Sequence, residues 1–249
     1  MQATHYAPDC LFSIDSNPKT IKGQKYGFLT GVMYLAPSDL SGYQVCAMAE
    51  IAQCAEGCLN SAGRGAFNST QLARINKTKY FFEARVAFMQ QLVRDITKIV
   101  NKAKKMGMTP LIRLNGTSDI KFENIAVNGA ENIFALFPDV QFYDYTKIAN
   151  RRNLPKNYDL TFSYSGVLQY QKYVNIALTN GMRIAAVFRT IGAIPKTFLG
   201  RVCVDGDNSD IRHLDPVDSV VALYAKGKAK KDTTGFVVDT FRTIALQVA

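Results

Sequence analysis

Three of the five cysteines in the chain lie within thirteen residues and could together bind a metal. They are Cys46, Cys54 and Cys58, in the stretch CAMAEIAQCAEGC. Thiolates are the ligands of iron–sulfur clusters and of many zinc sites, and three are one too few for a four-coordinate structural zinc site. Either a fourth protein ligand comes from elsewhere, or one metal position stays open for a substrate or cofactor.

These cysteines could also have a purely structural role. Cysteine is a small apolar residue, and the spacing of eight and four would place the three sulfurs roughly on one face of a helix, where they would fill the core. A disulfide framework is less favoured, because five is an odd number and the chain is long enough to bury its own core.

Length and composition describe a soluble globular chain of 249 residues, 47% of them hydrophobic and 20% charged. No apolar run approaches the roughly 18 to 20 residues that span a bilayer, so we expect no contact with a membrane interior. The opening residues MQATH resemble no secretory signal, which makes a reducing cytoplasm the expected compartment.

The chain has a formal net charge of +10, from 30 basic and 20 acidic residues. Such a surplus attracts polyanions, of which nucleic acid is the commonest, but it also fits a merely basic, soluble surface. Clustering of the cations favours nucleic acid. We expect five of them to contact phosphate: Arg151, Arg152, Lys228, Lys230 and Lys231.

Short apolar strands alternate with helices along the chain, which is typical of a parallel sheet with crossover helices. Strands are predicted at 26–35, 110–114, 140–145, 158–162, 182–188, 201–204 and 220–224, and helices at 68–106 (single or broken once), 130–137, 168–179 and 239–246. Asn68 or Ser69 can cap the long helix, and Gly107 can end it. We therefore predict an α/β fold, a partial or complete (βα) barrel of parallel strands, with an open doubly wound sheet as the alternative.

We predict a single domain, 1–249, with an irregular N-terminal extension, 1–25. The cysteine loop follows the first predicted strand, and polar residues follow the later ones. The carboxyl ends of parallel strands form the ligand site in barrels and open sheets, so these groups could share one mouth. Loops are polar in any case, which accounts for the same pattern more simply.

The stretch 205–215 contains four aspartates and one of the two histidines. Alternating carboxylates suit a hard cation such as magnesium, which would fit a nuclease using Asp205, Asp207 and Asp210. Asp, Gly and Asn are also what a tight turn requires. The sequence lacks the nucleophile elbow, the phosphate-binding loop and the dinucleotide fingerprint, which removes support for the hydrolase, NTPase and dehydrogenase classes.

The cysteine loop resembles that of radical S-adenosylmethionine enzymes, in which thiolates hold three irons of a four-iron cluster and the cofactor chelates the fourth. Those enzymes usually leave gaps of three and two residues between the cysteines, whereas the gaps here are seven and three. More of the chain, from about residue 40 to 238, resembles the phage gene product 88 family. The matching stretches are the cysteine loop, RLNGTSD at 113–119, 137–138 with 142–147, 157–158 with 161–163, and 205–212.

The resemblance to the gene product 88 family implies a phage protein of the host cytoplasm, a barrel and a cysteine-bound centre, but no known reaction. The resemblance to radical S-adenosylmethionine enzymes implies a [4Fe–4S] cluster on Cys46, Cys54 and Cys58, with S-adenosylmethionine near Asn115, Ser118 and Asp119. Such a protein would be an enzyme acting on nucleic acid or a nucleotide. The alternative is a non-enzymatic, basic nucleic-acid-binding protein whose cysteines bind structural zinc or fill the core.

Overall fold

The computed structural model describes residues 7–14 and 18–239 of the chain. Within these residues it contains five α-helices and nine strands. The helices are α1 (Pro18–Gln24), α2 (Asn68–Glu83), α3 (Arg85–Lys105), α4 (Ile133–Leu136) and α5 (Gln171–Thr179). The strands are β1 (Phe12–Ile14), β2 (Phe28–Met33), β3 (Thr109–Arg113), β4 (Gln141–Thr146), β5 (Tyr158–Ser163), β6 (Arg183–Phe188), β7 (Thr197–Phe198), β8 (Arg201–Asp205) and β9 (Ser219–Tyr224).

The strands form one mixed sheet in the order β1-β2-β3-β4-β5-β6-β9-β8-β7. The pairs β2–β3, β3–β4, β5–β6, β6–β9 and β8–β9 are parallel, whereas β1 and β7 pair antiparallel with β2 and β8. The sheet is open, with β1 and β7 at its edges, so the prediction of a complete barrel is wrong. Closure requires the two outermost strands to pair, and these two have only three and two residues.

The seven predicted strands all form, with bounds shifted by a few residues. Three elements were not predicted: β1 and α1, which lie in the stretch expected to be irregular, and the two-residue β7. The predicted helix 130–137 shortens to the four residues of α4. The predicted helix 239–246 lies, except for Asp239, outside the described residues.

The chain divides into two compact units, each made of several stretches of sequence. Unit 1 comprises Met1–Ala47, Ala66–Asp144 and Arg152–Asp159. Unit 2 comprises Met48–Gly65, Tyr145–Arg151 and Leu160–Ala249. Because the stretches alternate along the sequence, the units do not correspond to two successive domains.

The core of unit 1 forms where α3 packs on β2. Phe88, Leu92 and Ile96 recur at helical spacing along α3 and are fully buried. Gly31 on β2 lies so close to the helix that a Cβ there would stand 2.6 Å from Ile99 Cδ1. A Cβ at this point would force the Ile99 side chain to move, so glycine allows the helix to approach the sheet closely.

The long predicted helix is broken once, at Ala84, where φ −135° and ψ 48° leave the helical region. Neither Asn68 nor Ser69 caps α2; the N-cap is Phe67, without a side-chain hydrogen bond. The predicted stop at Gly107 is confirmed, because Gly107 has φ +65°. The N–H of Met108 donates to the carbonyl of Ala103 at 2.9 Å, as in a Schellman motif.

The core of unit 2 packs α5 against the sheet. Its buried cluster includes Phe162 on β5, Val174 on α5 and Ile184 on β6. The ring of Tyr170, just before α5, stacks on Phe162 at 5.7 Å between centroids. This core supports the loops that follow β6 and β9.

None of the helices in the described part of the chain combines the length and the apolar character needed to span a bilayer.

Candidate functional site

The loop after β3 is held by a network of buried polar side chains in unit 1. Asn115 Oδ1 accepts hydrogen bonds from Ser118 Oγ and from the N–H of Ile120, both at 2.8 Å. Its Nδ2 donates to the carbonyl of Ile120 at 3.0 Å. One amide side chain thus closes the loop on itself, because it satisfies groups at both ends of the turn.

The centre of this network is Asp144 on β4, which is completely buried. Its carboxylate accepts hydrogen bonds from Asn115 N at 2.7 Å, from Asn115 Nδ2 at 3.2 Å and from Tyr158 Oη at 3.0 Å. Arg113 Nε lies 4.0 Å from Asp144 Oδ1. A buried charge with these partners is compensated, so Asp144 acts as the anchor of the loop.

The three residues predicted to bind the cofactor, Asn115, Ser118 and Asp119, therefore belong to one buried loop. Asn115 and Ser118 are joined directly, and the N–H of Asp119 donates to the carbonyl of Val45 at 2.8 Å. Binding of S-adenosylmethionine by these residues stays a prediction. The supporting roles of Arg113 and Tyr158 were not predicted, because only the pairing of their strands brings them to Asp144.

Cys46 lies beside this loop in unit 1. Its half-buried thiol lies 3.7 Å from the carbonyl oxygen of Thr117, and its N–H donates to Gln44 Oε1 at 2.8 Å. The stretch around it forms turns, without a helix, so the arrangement of sulfurs along a helix face does not occur.

Cys54 and Cys58 belong to unit 2. Cys54 is half-buried and packs against the apolar clusters around Phe162 and Phe236. Cys58 is half-buried too, and its carbonyl accepts a hydrogen bond from Ser61 Oγ at 2.8 Å. Between them, a Cβ on Gly57 would stand 2.9 Å from Phe236 Cδ1, so this segment is tightly packed.

Over residues 7–14 and 18–239, no group of three or more His, Cys, Asp or Glu side chains is arranged to hold a metal ion. The five cysteines, all within the described residues, form no disulfide bond. Ligation of an iron–sulfur cluster or of zinc by Cys46, Cys54 and Cys58 stays a prediction.

Three predicted phosphate contacts lie on one exposed turn of unit 2. Gly227–Lys231 forms a 3₁₀ turn, which we call the lysine turn; its side chains Lys228, Lys230 and Lys231 are exposed, while Ala229 is buried. The N–H of Lys228 donates to Ser61 Oγ at 3.1 Å. The turn therefore presents its cations to solvent from a fixed backbone.

Arg189, which follows β6, supports the lysine turn from within unit 2. Its guanidinium donates to the carbonyls of Ala229 at 3.3 Å, Lys230 at 3.0 Å and Asp232 at 2.6 Å. Arg189 Nε also lies 3.8 Å from Asp239 Oδ2. From the sequence, Arg189 was only a polar residue after a strand, because its partners lie some forty residues away.

The remaining two predicted contacts differ from each other in exposure. Arg151 is buried, with 7% of its surface exposed, whereas Arg152 is exposed. Of this pair, only Arg152 presents its guanidinium to solvent.

The aspartates after β8 form a structural turn. The N–H of Asp207 donates to Asp205 Oδ1 at 2.7 Å, and Asp207 Oδ2 accepts from the N–H of Tyr224 at 3.1 Å. Asp207 Oδ1 forms an ion pair with Lys226 at 2.6 Å. These contacts occupy the Asp207 carboxylate and favour the turn over the magnesium site.

Comparison with known proteins gives a family but no close relative. No curated protein and no solved structure matches the chain. The family model described as Gene product 88 matches residues 11–240, which is most of the sequence. The likeness of the cysteine loop to radical S-adenosylmethionine enzymes stays a prediction. The resemblance to the phage gene product 88 family is confirmed by this match, and the chain belongs to the Gene product 88 family.

Proposed function

We propose that this protein binds nucleic acid and that the lysine turn supplies its main phosphate contacts. The observation that carries the proposal is the set of hydrogen bonds from Arg189 to the turn. A cationic loop of this kind loses little conformational entropy when it meets phosphate, because its backbone is already fixed.

The charges on the turn are available to a ligand. The ammonium groups of Lys230 and Lys231 make no hydrogen bond or ion pair with any residue in the described part of the chain. Lys228 pairs with Glu56 at 3.4 Å, but both side chains are exposed. Exposed pairs contribute only about 0–1 kcal/mol, so phosphate can readily replace Glu56.

Contacts of lysine with phosphate release counterions, and this gives a quantitative test. The affinity for a fluorescent single-stranded 20-mer should be measured by anisotropy between about 50 and 200 mM salt. Replacing Lys228, Lys230 and Lys231 by Gln should weaken binding and reduce the slope of log affinity against log salt by about 2, at about 0.7 per contact on a single strand.

The matched control removes the same charge elsewhere. Lys102, Lys104 and Lys105 are exposed at the end of α3, and their triple replacement by Gln should leave affinity and slope nearly unchanged. An equal loss in both triple variants would mean that only net charge matters and would refute the assignment to the lysine turn. Absence of binding at 50 mM salt would refute nucleic-acid binding itself.

A cysteine-ligated iron–sulfur centre, in an enzyme of the radical S-adenosylmethionine type, is the second candidate. It is supported by three half-buried cysteines that lie within thirteen residues of the sequence. Anaerobically purified protein should be brown, absorb near about 400 nm and contain iron, and the Cys46/Cys54/Cys58→Ala variant should be colourless. Stoichiometric zinc without iron would favour a structural metal, and protein free of both metals would refute the centre.

A further inference from the structure

Unit 1 contains a cleft that has no part in the proposed binding by the lysine turn. Its volume is about 220 Å³, and it lies between the segment before Cys46 and the junction of α2 and α3. Apolar groups form most of its walls, and three polar side chains reach it: Gln44, Arg85 and Asp119. Apolar walls with a few convergent polar groups are typical of small-molecule sites.

Arg85 is held rigidly at this cleft. Its Nε donates to the carbonyl oxygen of Phe81 at 2.8 Å, and its guanidinium carbon lies 3.7 Å from the centroid of the Phe81 ring. The break at Ala84 interrupts the helical hydrogen bonds at this point, and the side chain of Arg85 satisfies a carbonyl of the last turn of α2. The charged group is thus fixed by two contacts with one residue.

The charge of Arg85 has no acidic partner in the described residues. Its terminal nitrogens make no hydrogen bond or ion pair there. The side chain is half-buried, and this loss of hydration lowers the pKa of Arg85 from its ordinary value. A fixed, partly desolvated guanidinium without a carboxylate is suited to bind an anion, because its planar fork matches phosphate.

The remaining walls suit a planar ring. Phe82 lines the cleft and is itself held by a parallel stack with Tyr43, at 4.5 Å between centroids. Val45 and Ile120 extend the apolar surface, and Asp119 adds a carboxylate in a side chain that is nine-tenths buried. A carboxylate in this position can accept a hydrogen bond from the amino group of a base, as Asp and Glu do with cytosine N4.

We propose that this cleft binds one nucleotide unit, with its phosphate on Arg85, its base against the apolar wall and a base amino group on Asp119. The volume of about 220 Å³ is many times the roughly 10–15 Å³ that one water requires, which leaves room for one ring system. The nucleotide comes either from the free pool or from a single strand. This site belongs to unit 1 and does not depend on the lysine turn.

Calorimetric titration of the full chain tests the site with four probes: cytidine monophosphate, uridine monophosphate, a short oligodeoxycytidine and inorganic phosphate. Cytidine monophosphate or the oligonucleotide should bind, and Arg85→Gln should weaken that binding at least about tenfold, as expected for a lost charge-assisted contact. Arg94→Gln, which removes an exposed arginine from the same helix, is the control and should change it less than about twofold. Arg85→Lys keeps the charge without the planar fork and should also weaken binding, which preserves the test if the glutamine variant is poorly folded.

The pattern of probes identifies the source of the nucleotide. Binding of free cytidine monophosphate assigns the cleft to the nucleotide pool, and Arg85-dependent binding of the oligonucleotide alone assigns it to a strand. Cytidine should bind at least about fivefold more tightly than uridine, a preference that Asp119→Asn should abolish. Equal losses in the Arg85 and Arg94 variants, binding of inorganic phosphate as tight as that of the nucleotide, or no binding of any probe would overturn the proposal. An unsubstituted protein that does not bind the single-stranded 20-mer at about 50 mM salt, while its cleft still binds cytidine monophosphate, would refute only the proposed function.

Discussion

Asp144 Oδ1 accepts a hydrogen bond from the backbone N–H of Asn115 at 2.7 Å, and Asp144 Oδ2 accepts one from the side chain of the same asparagine at 3.2 Å. These two bonds tie the end of β4 to the start of the loop that contains Ser118 and Asp119. The position of Asp119 in the cleft therefore depends on a carboxylate that is not part of the cleft lining.

Replacing Asp144 by Asn should destabilise the protein. The side-chain amide of the new asparagine would turn its NH₂ group toward the donors that now bond to the carboxylate. The substitution also removes the negative charge beside Arg113, which lies 4.0 Å away. Breaking a buried ion pair on one side costs about 3–5 kcal/mol, and urea denaturation should show a loss of that size. Asp139→Asn is the control, since Asp139 is exposed on the turn before β4 and should change stability by less than about 0.5 kcal/mol. A loss at Asp144 no larger than that would contradict its role as the anchor.

Gly116 is required for steric reasons. A Cβ at this position would stand 2.7 Å from the carbonyl oxygen of Met33 and 2.6 Å from Tyr34 Cδ1. The backbone cannot move aside as a flexible side chain can. Overpacking in Gly116→Ala should therefore lower the free energy of unfolding by about 1–3 kcal/mol. Gly192→Ala serves for comparison, since a Cβ there would meet nothing within 4 Å. Equal thermal stability of the two variants would show that the loop after β3 adapts freely.

Lys77 on α2 should make stability depend on pH. Its Nζ donates to the carbonyl of Leu11 at 2.6 Å, and burial lowers the pKa of Lys77 to about 8 from the ordinary 10.5. Cys10 and Asp95 partly oppose this shift, whereas Arg74 adds to it. Between about pH 8 and 10.5 the unfolded chain binds more protons at this residue than the folded chain, so the contribution of Lys77 to stability rises with pH.

Urea denaturation between about pH 8 and 9.5 measures this contribution. The upper limit avoids Tyr80 and Tyr164, because burial raises the pKa of each above 10.0 and stability then falls at higher pH. Lys77→Met should remove the rise, and Lys105→Met, at the exposed end of α3, should retain it. If stability rose with pH by the same amount in the Lys77→Met variant, the rise would belong to another titratable group.

Local patterns in the sequence predicted the individual elements. The apolar spacing of Met89, Val93, Ile96 and Val100 indicated α3, and Gly107 indicated its end, because both signals involve residues within a few positions of each other. The capping prediction failed at Asn68, which became the first residue of α2. β1 has three residues and pairs antiparallel with β2, and so short a strand has no periodicity to detect.

Contacts between residues far apart in the sequence could not be predicted from local patterns. The sequence allowed a partial or complete barrel and, as the alternative, an open sheet, because strand-helix repeats do not reveal whether the outermost strands pair. Phe81 and Phe82 are adjacent in the sequence, but the structure buries Phe81 at 1% exposure and leaves Phe82 half-buried in the cleft beside Arg85. An arginine four residues after Phe81 was the available signal for the cleft, although such a pair is common on exposed helices.

Arg189→Lys tests whether the geometry of the lysine turn matters apart from its charge. The substitution keeps the net charge, but an ammonium group cannot reproduce the planar fork that reaches the carbonyls of Ala229, Lys230 and Asp232 together. The turn should then lose its fixed backbone, and amide hydrogen exchange at Gly227–Lys231 should accelerate.

Affinity for a single-stranded 20-mer should fall about tenfold in Arg189→Lys, because ordering the turn would now be part of the cost of binding. The slope of log affinity against log salt should change little, because the same three lysines still contact phosphate. Arg201→Lys is the matched control: Arg201 bonds to Met182 and Asp218, which lie outside the turn, so affinity should be retained. Faster exchange without a loss of affinity would show that the turn binds as well when it is mobile, and the preorganised site would then have to be abandoned.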